Sequence, residues 1–238
     1  MTASSGGRQA ATAAAAITIG VLGYQGDIEE NVVAARQAIE EMGVDGKVEL
    51  VRYPHEMERI DGLILPGGES TVQSSLAAIQ QSLPVLKKRI AEGMPVMGTC
   101  AGMIMLSKRA FDRVVGETKQ KTIGNLDIVV ERNAFGRQND SFEADLDLGA
   151  LGGSSKDKGA FRGVFIRAPA VTEVGKGVEV LARHGGKIVA VRQKNIIGTA
   201  FHPELAAGDA RLHRQFVRMV LDYRAGSGGK ARNNNSKS

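Results

Sequence analysis

Short unbroken apolar runs alternate with amphipathic stretches through the first half of the chain. Residues 17–24 (ITIGVLGY) form a run of the length and branched-residue content of a buried strand, and residues 47–53 (KVELVRY), 62–65 (GLIL) and 95–99 (PVMGT) give three more candidate strands. Between them the spacing changes to that of a helix. Ile28, Val32, Ala35 and Ile39 recur three or four positions apart, Asp27 stands where an N-cap belongs with Glu30 three residues on, and Gly43 ends the run. A second helix is predicted over 70–91, broken or kinked at Pro84, and a third over 101–109. This alternation of strand and helix predicts a parallel sheet covered on both faces.

The second half changes character. Residues 126–131, 163–167, 178–182 and 188–192 are short β-rich runs, and Gly185-Gly186 between the last two is a hairpin signal. Residues 196–201 lead into a polar loop and a final helix over 209–223, whose apolar stripe is Leu212, Phe216, Met219 and Val220. Residues 148–158 are rich in Gly, Ser, Lys and Asp and read as an exposed loop. The fold class expected is therefore α/β: one domain, a three-layer sandwich with a mostly parallel central sheet, helices on both faces and a smaller antiparallel portion in the second half.

Composition adds limits. A chain of 238 residues with 42% hydrophobic and 24% charged residues is an ordinary globular profile. No apolar run is long enough to span a bilayer, and residues 1–16 lack the charged start and leucine-rich stretch of a secretory signal, so a cytoplasmic location is expected. The net charge of +5 is equalled by Arg8, Arg224, Lys230, Arg232 and Lys237, all in the ends of the chain. The body is then near neutral, which gives no argument for nucleic acid, and 1–16 and 224–238 are expected to be disordered extensions of a domain spanning 17–223.

Cys100 is the one cysteine, so no intrachain disulfide and no cysteine-based zinc site can form. A lone cysteine is either small packing or a reactive sulfur, and its surroundings favour the second. Gly98-Thr99-Cys100-Ala101-Gly102 lies between a predicted strand and a predicted helix with the spacing of the nucleophile elbow, Cys replacing Ser. Flanking glycines suit such a turn because larger side chains would strike neighbouring backbone. A helix N-terminus also offers oriented N–H groups to an anion there.

A sulfur nucleophile needs a base, and the candidates are His55, His184, His202 and His213. His202 stands out in Phe201-His202-Pro203-Glu204-Leu205: the following proline biases it to an extended conformation, where Glu204, two positions on, points to the same side and can steady the ring. The plainer alternative is a surface histidine beside a turn. His55, His184 and His213 read as solvated positions. For an oxyanion, Ala101 N–H is one candidate donor, and the glycine-rich loop 65–70 could supply another. Residues 20–26 have glycine spacing G-x-x-G-x-x-G, which departs from the dinucleotide fingerprint, and no acidic residue ends the next strand.

Taken together, the PGGES loop, the GTCAG elbow and the late HPE resemble class I glutamine amidotransferases in order and context. Within that class the chain is similar to the glutaminase subunit family of pyridoxal 5′-phosphate synthase, through residues 65–71 (LPGGEST), 98–102 (GTCAG), 130–138 (VERNAFGRQ), 141–145 (SFEAD), 163–169 (GVFIRAP) and 201–205 (FHPEL). The resemblance implies hydrolysis of L-glutamine through a Cys100 thioester, with His202 and Glu204 completing a triad. It implies glutamine binding by Gly68, Glu69, Ser70, Arg132, Ile166 and Arg167, and an oxyanion hole from Gly68 and Ala101. No metal and no cofactor are implied; the partner implied is a (β/α)8-barrel synthase subunit that receives the ammonia in a hetero-oligomeric complex. The long ends, the 148–161 loop and Tyr24, where a smaller aliphatic residue is usual, depart from the family pattern, and the Tyr24 segment is expected near the partner. Two other readings remain at this point: another α/β cysteine hydrolase or peptidase, and a non-catalytic regulatory subunit.

Overall fold

In the computed structural model the first apolar run is a strand, β1 (Ile17–Leu22), buried along nearly its whole length, and the first amphipathic stretch is α1 (Ile28–Glu41). The helix ends as expected at Gly43, whose φ of +62° lets Gly43 N–H reach Glu40 and Val44 N–H reach Ile39 in a Schellman turn. β2 (Gly46–Val51), the short α2 (Pro54–Met57) and β3 (Gly62–Leu65) follow. The long helix predicted over 70–91 is two helices, α3 (Ser70–Ile79) and α4 (Ser82–Ala91). The break falls at Gln81, which has a left-handed φ of 56°; Pro84 sits in the first turn of α4, where its missing N–H costs nothing.

β4 (Val96–Thr99) leads into α5 (Ala101–Leu106). The sequence pattern carries that helix to Arg109, but the structure ends it at Leu106, because Ser107 turns extended and its hydroxyl donates to the Ile104 carbonyl. Residues Ser107–Asp112 become β5, a strand hidden in sequence by its charged residues. Then come β6 (Gly116–Glu117), β7 (Leu126–Arg132), β8 (Ser141–Leu146), β9 (Phe161–Ile166), β10 (Ala170–Val174), β11 (Glu179–His184), β12 (Lys187–Gln193) and β13 (Ile196–Thr199). Gly185 and Gly186, both at positive φ, join β11 to β12 as the hairpin signal requires. The final helix, α6 (Arg211–Asn234), continues past the Tyr223 end that its pattern suggested; Arg224 pairs with Asp61 at 3.1 Å and holds the continuation against the body.

The described residues are 16–112, 115–136, 141–151 and 159–234. Most of the expected N-terminal extension, Arg137 and Gln138 of the VERNAFGRQ segment, residues 152–158 of the predicted loop and the last four residues lie outside them.

The central sheet runs β2-β1-β3-β4-β13-β12-β10-β7-β5-β6, with β11 beside β12. Its first five strands are parallel, and beyond β13 the pairing turns antiparallel except for β5 on β7. β8 and β9 form a separate antiparallel pair. On one face α1 packs on α6; a β-carbon on Gly62 would lie 2.5 Å from Val220, so α6 presses directly onto β3. On the other face lie α3, α4 and α5, with α5 against β3, β4 and β13. This is the three-layer arrangement expected. Among the described residues no helix is long and apolar enough to cross a membrane.

His213 departs from expectation. It is 1% exposed inside α6, neither ring nitrogen has a hydrogen-bond partner among the described residues, and burial pushes its pKa down to about 4 from an ordinary 6.5. A folded-state value below the unfolded one means the neutral ring favours folding above about pH 6.5, and that contribution is lost as pH falls towards 4. Chemical denaturation of the wild type between pH 7 and pH 4 should therefore lose up to about 3 kcal/mol to this one group. A His213→Leu variant should show a shallower acid dependence; parallel curves for the two proteins would contradict the assignment.

Candidate active site

The loops leaving the carboxyl ends of β1, β3, β4 and β13 meet at one edge of the parallel strands, the edge where open α/β sheets bind ligands. β4 and β13 pair with Thr99 beside Thr199, and Cys100 N–H donates to the Thr199 carbonyl at 2.7 Å. That register brings Cys100 and the segment carrying His202 to one place, although they are far apart in sequence.

Cys100 occupies the turn between β4 and α5 with φ 48° and ψ −104°, a conformation costing a non-glycine residue about 1–3 kcal/mol. The glycines around it are explained by contact. A β-carbon on Gly102 would lie 2.0 Å from the Leu65 carbonyl oxygen, and one on Gly98 would lie 2.7 Å from the Gly102 carbonyl. Helix and sheet can approach this closely only without those side chains.

His202 is 3% exposed and extended, and its N–H donates to the Val164 carbonyl at 2.8 Å. Glu204 lies in a single 3-10 turn, Pro203–Leu205, and not in the extended chain expected, yet its Oε1 still reaches His202 Nδ1 at 2.9 Å. A second carboxylate reaches the same nitrogen: Asp27 Oδ2 lies at 3.1 Å. Gly67 makes room for this group, since a β-carbon there would lie 2.4 Å from His202 Cε1 and 2.6 Å from Asp27 Oδ2. Nε2 is buried without a hydrogen-bond partner among the described residues, and Cys100 is the sulfur that influences the ring. Burial alone would depress the imidazole pKa, but Asp27, Cys100 and Glu204 together outweigh it and the value is pushed up to about 12. Asp27 is held below the usual carboxylate range, mainly by its hydrogen bond to His202.

Cys100 and His202 line a cavity of about 190 Å³, and Gly68, Glu69, Ser70, Arg132, Ile166 and Arg167 line it with them. Glu204 stands behind His202 with its side chain fully buried, and Ala101 is covered at the start of α5. Arg132 Nη2 donates to Glu69 Oε1 at 2.8 Å, a partly exposed pair of opposite charge within the cavity wall. The Ile166 carbonyl lies 4.0 Å from Cys100 Sγ, and Arg167 follows at a left-handed φ of 43°. No backbone hydrogen bond among the described residues occupies the N–H of Gly68 or of Ala101.

The loop after β3 is held by side-chain amides. Gln25 Oε1 accepts from Glu69 N–H at 2.8 Å, and Gln73 Nε2 donates to the carbonyls of Gln25, Pro66 and Gly67. A β-carbon on Gly26 would lie 1.7 Å from the Gly67 carbonyl oxygen, so Gly26 serves this close approach, while β-carbons on Gly20 and Gly23 would meet the side chains of Ile60 and Arg52. Tyr24 turns its hydroxyl to the Arg52 carbonyl at 2.8 Å and Ser82 Oγ at 2.7 Å.

Sequence reasoning missed Asp27, Ile104, Asn133 and Pro169 as cavity residues. Asp27 carried a signal, its acid at the strand-to-helix junction, but that signal reads as a helix cap. Asp27, His202 and Glu204 also bring three possible metal-ligand atoms within 4.8 Å of one another. Sharing of the Nδ1 hydrogen by both carboxylates accounts for that closeness. The other histidines stand apart: His55 is exposed in α2, and His184, expected to be solvated, stacks on Phe142 with ring centroids 5.3 Å apart.

With this fold and site, the chain belongs to the SNO glutamine amidotransferase family, whose model matches residues 21–222. It is similar to the pyridoxal 5′-phosphate synthase subunit PdxT of Streptomyces avermitilis, with 51% identity over 85% of this chain and 93% of that one. The protein of the same name from Nitrosopumilus maritimus is 46% identical over 86% of this chain and 97% of its own. Among solved structures, a glutamine amidotransferase crystal structure shares 42% identity and a TM-score of 0.71, covering 85% of this chain and 98% of that one.

The elbow's packing can be probed without assaying any reaction. Gly102→Ala should lower stability by about 1–3 kcal/mol, because the methyl group collides with the Leu65 backbone, which cannot yield as a flexible side chain would. Gly43→Ala, with open space around the β-carbon position, should cost only the strain of its positive φ. Comparable thermal midpoints for Gly102→Ala and wild type would show that α5 is not pressed onto β3.

Proposed function

We propose that this protein hydrolyses L-glutamine to L-glutamate and ammonia, and that the ammonia passes to a (β/α)8-barrel synthase subunit making pyridoxal 5′-phosphate. The observation that carries the chemistry is the convergence of Cys100 and a doubly carboxylate-bound His202 on one small cavity beside a Glu69–Arg132 pair. Family membership and the PdxT relatives support the substrate and the partner. The cavity, at about 190 Å³, lies below the roughly 300–1,000 Å³ of sites for drug-sized ligands, which suits an amino acid better than a peptide.

In this reading glutamine enters with its α-carboxylate towards the fork of Arg132 and its α-ammonium towards Glu69, so the pair already present recognises a zwitterion. His202 takes the Cys100 proton, leaving a thiolate beside an imidazolium. The sulfur attacks the side-chain amide carbon, and the oxyanion formed is met by the N–H groups of Gly68 and Ala101. Collapse breaks the carbon–nitrogen bond as His202 Nε2 gives its proton to the leaving nitrogen, releasing ammonia and a thioester. The now neutral ring takes a proton from water, the hydroxide adds to the thioester, and glutamate leaves as the thiolate returns. Ser70, Ile166 and Arg167 shape the wall around the substrate. The mechanism requires a reduced thiol, which fits the cytoplasm.

Ammonia release should be measured with and without the synthase subunit. Cys100→Ala should fall to background while retaining the fold, and His202→Ala should lose about 10²-fold or more. Turnover persisting in Cys100→Ala would remove the sulfur from the mechanism. Arg132→Lys should raise KM for glutamine about tenfold with kcat little changed, since a fork gripping a carboxylate becomes a single point of charge. An unchanged KM would mean that the carboxylate is bound elsewhere.

A further inference from the structure

The Asp27 carboxylate has no part in the chemistry above. It stands at the start of α1, where a helix cap is predicted, yet its side chain makes no capping hydrogen bond. Asn31 N–H and the Asn31 side-chain amide both donate to the Asp27 carbonyl, and Ile28 N–H donates to the Gly26 carbonyl. The carboxylate points away to His202 Nδ1, at 3.1 Å, the atom that Glu204 already reaches at 2.9 Å.

One Nδ1 carries one hydrogen, so two acceptors sharing it gain little over one if the ring is neutral. Two negative groups gain much more when the ring carries a positive charge, as it does once it holds the Cys100 proton and again after it takes the proton of water. The two acids also hold the ring from different elements: Glu204 from its own segment with a fully buried side chain, Asp27 from α1 with a side chain 34% exposed towards the cavity. Other charged side chains on the cavity are Glu69 and Arg132, which pair with each other, and Arg167.

We infer that Asp27 is a second positioning residue for His202, sharing with Glu204 the tasks of orienting the imidazole and stabilising its charged form. The inference rests on the glutaminase reading for the reaction it serves and on geometry for the ring it holds. It follows that neither acid alone is indispensable and that removing both releases the ring. The lowered pKa of Asp27, caused first by its hydrogen bond to His202, agrees with this pairing.

Because Cys100 is the one cysteine of the chain, its alkylation by iodoacetamide reports the Cys100–His202 pair without background. The full chain should be compared as wild type, Asp27→Asn, Asp27→Glu, Glu204→Gln and the Asp27→Asn/Glu204→Gln double variant, each followed against pH. Asp27→Asn should move the alkylation profile to higher pH by about one unit, a roughly tenfold slower reaction near neutrality. Asp27→Glu, which keeps the charge, should recover most of the wild-type profile. The double variant should lose more than the two single losses combined, because each acid covers for the other. In glutamine turnover with the synthase subunit, Asp27→Asn should lower kcat and leave KM in place, and Asp27→Glu should restore most of the lost kcat. A wild-type alkylation profile in Asp27→Asn overturns the assignment, as does a change confined to KM or a failure of Asp27→Glu to recover the profile. If the alkylation pattern holds while the wild type releases no ammonia with its synthase, the glutaminase reading fails and the Asp27–His202 coupling stands.

Discussion

The parallel pairing of β4 with β13 is the constraint from which the site is built. Thr99 lies beside Thr199 and Gly98 beside Gly198, so two segments a hundred residues apart end level at the same sheet edge. A slip of one residue would invert every side chain on one strand and take His202 away from Cys100. The paired glycines do more than fill the strands. β-Carbons on Gly98 and Gly198 would strike Gly102 and Met103 of α5, so the bare backbone at this point is the bed on which α5 lies. Register, helix placement and the turn at Cys100 are thus one packing problem, solved by removing side chains where helix and sheet meet.

That solution leaves Cys100 strained and His202 buried, and both cost stability. The strain is held by surrounding contacts: Cys100 N–H is tied to Thr199, and Gly102 sits against Leu65 with no space to relax. The burial of His202 is offset by charge. An imidazole 3% exposed would ordinarily be neutral, but two carboxylates on Nδ1 and a sulfur beyond the ring reverse the balance. The loop after β3 contributes through absence again, since Gly67 leaves the space into which Asp27 and His202 come together.

Most of the architecture was legible because it depends on local signals. Buried parallel strands read as apolar runs, α1 and its Gly43 terminator read from spacing, and Gly185-Gly186 announced a hairpin. Cys100, His202 and Glu204 were legible because each lies in a short motif. What failed was whatever depends on a distant contact. β5 is a strand because β7 lies beside it, while its own residues, SKRAFD, continue a helical pattern. Pro84 looked like the place where the helix breaks, but the backbone turns three residues earlier at Gln81. Asp27 looked like a cap because caps are a local habit of aspartate, and nothing nearby in sequence hints that an imidazole from residue 202 competes for its carboxylate.

The histidines show the same limit in its simplest form. His202 and His213 are both almost wholly buried, eleven residues apart, yet one is raised to about 12 and the other lowered to about 4. Burial acts on both in the same direction, so it cannot be the cause of the difference. His202 faces acids delivered by the start of α1 and by its own turn, whereas neither nitrogen of His213 has a partner among the described residues. The chemistry of a buried imidazole is therefore decided by what the fold brings to its two nitrogens. In this chain the delivering elements are the β1–α1 turn and the β13 register, so the charge on His202 is a property of the sheet topology before it is a property of the residue.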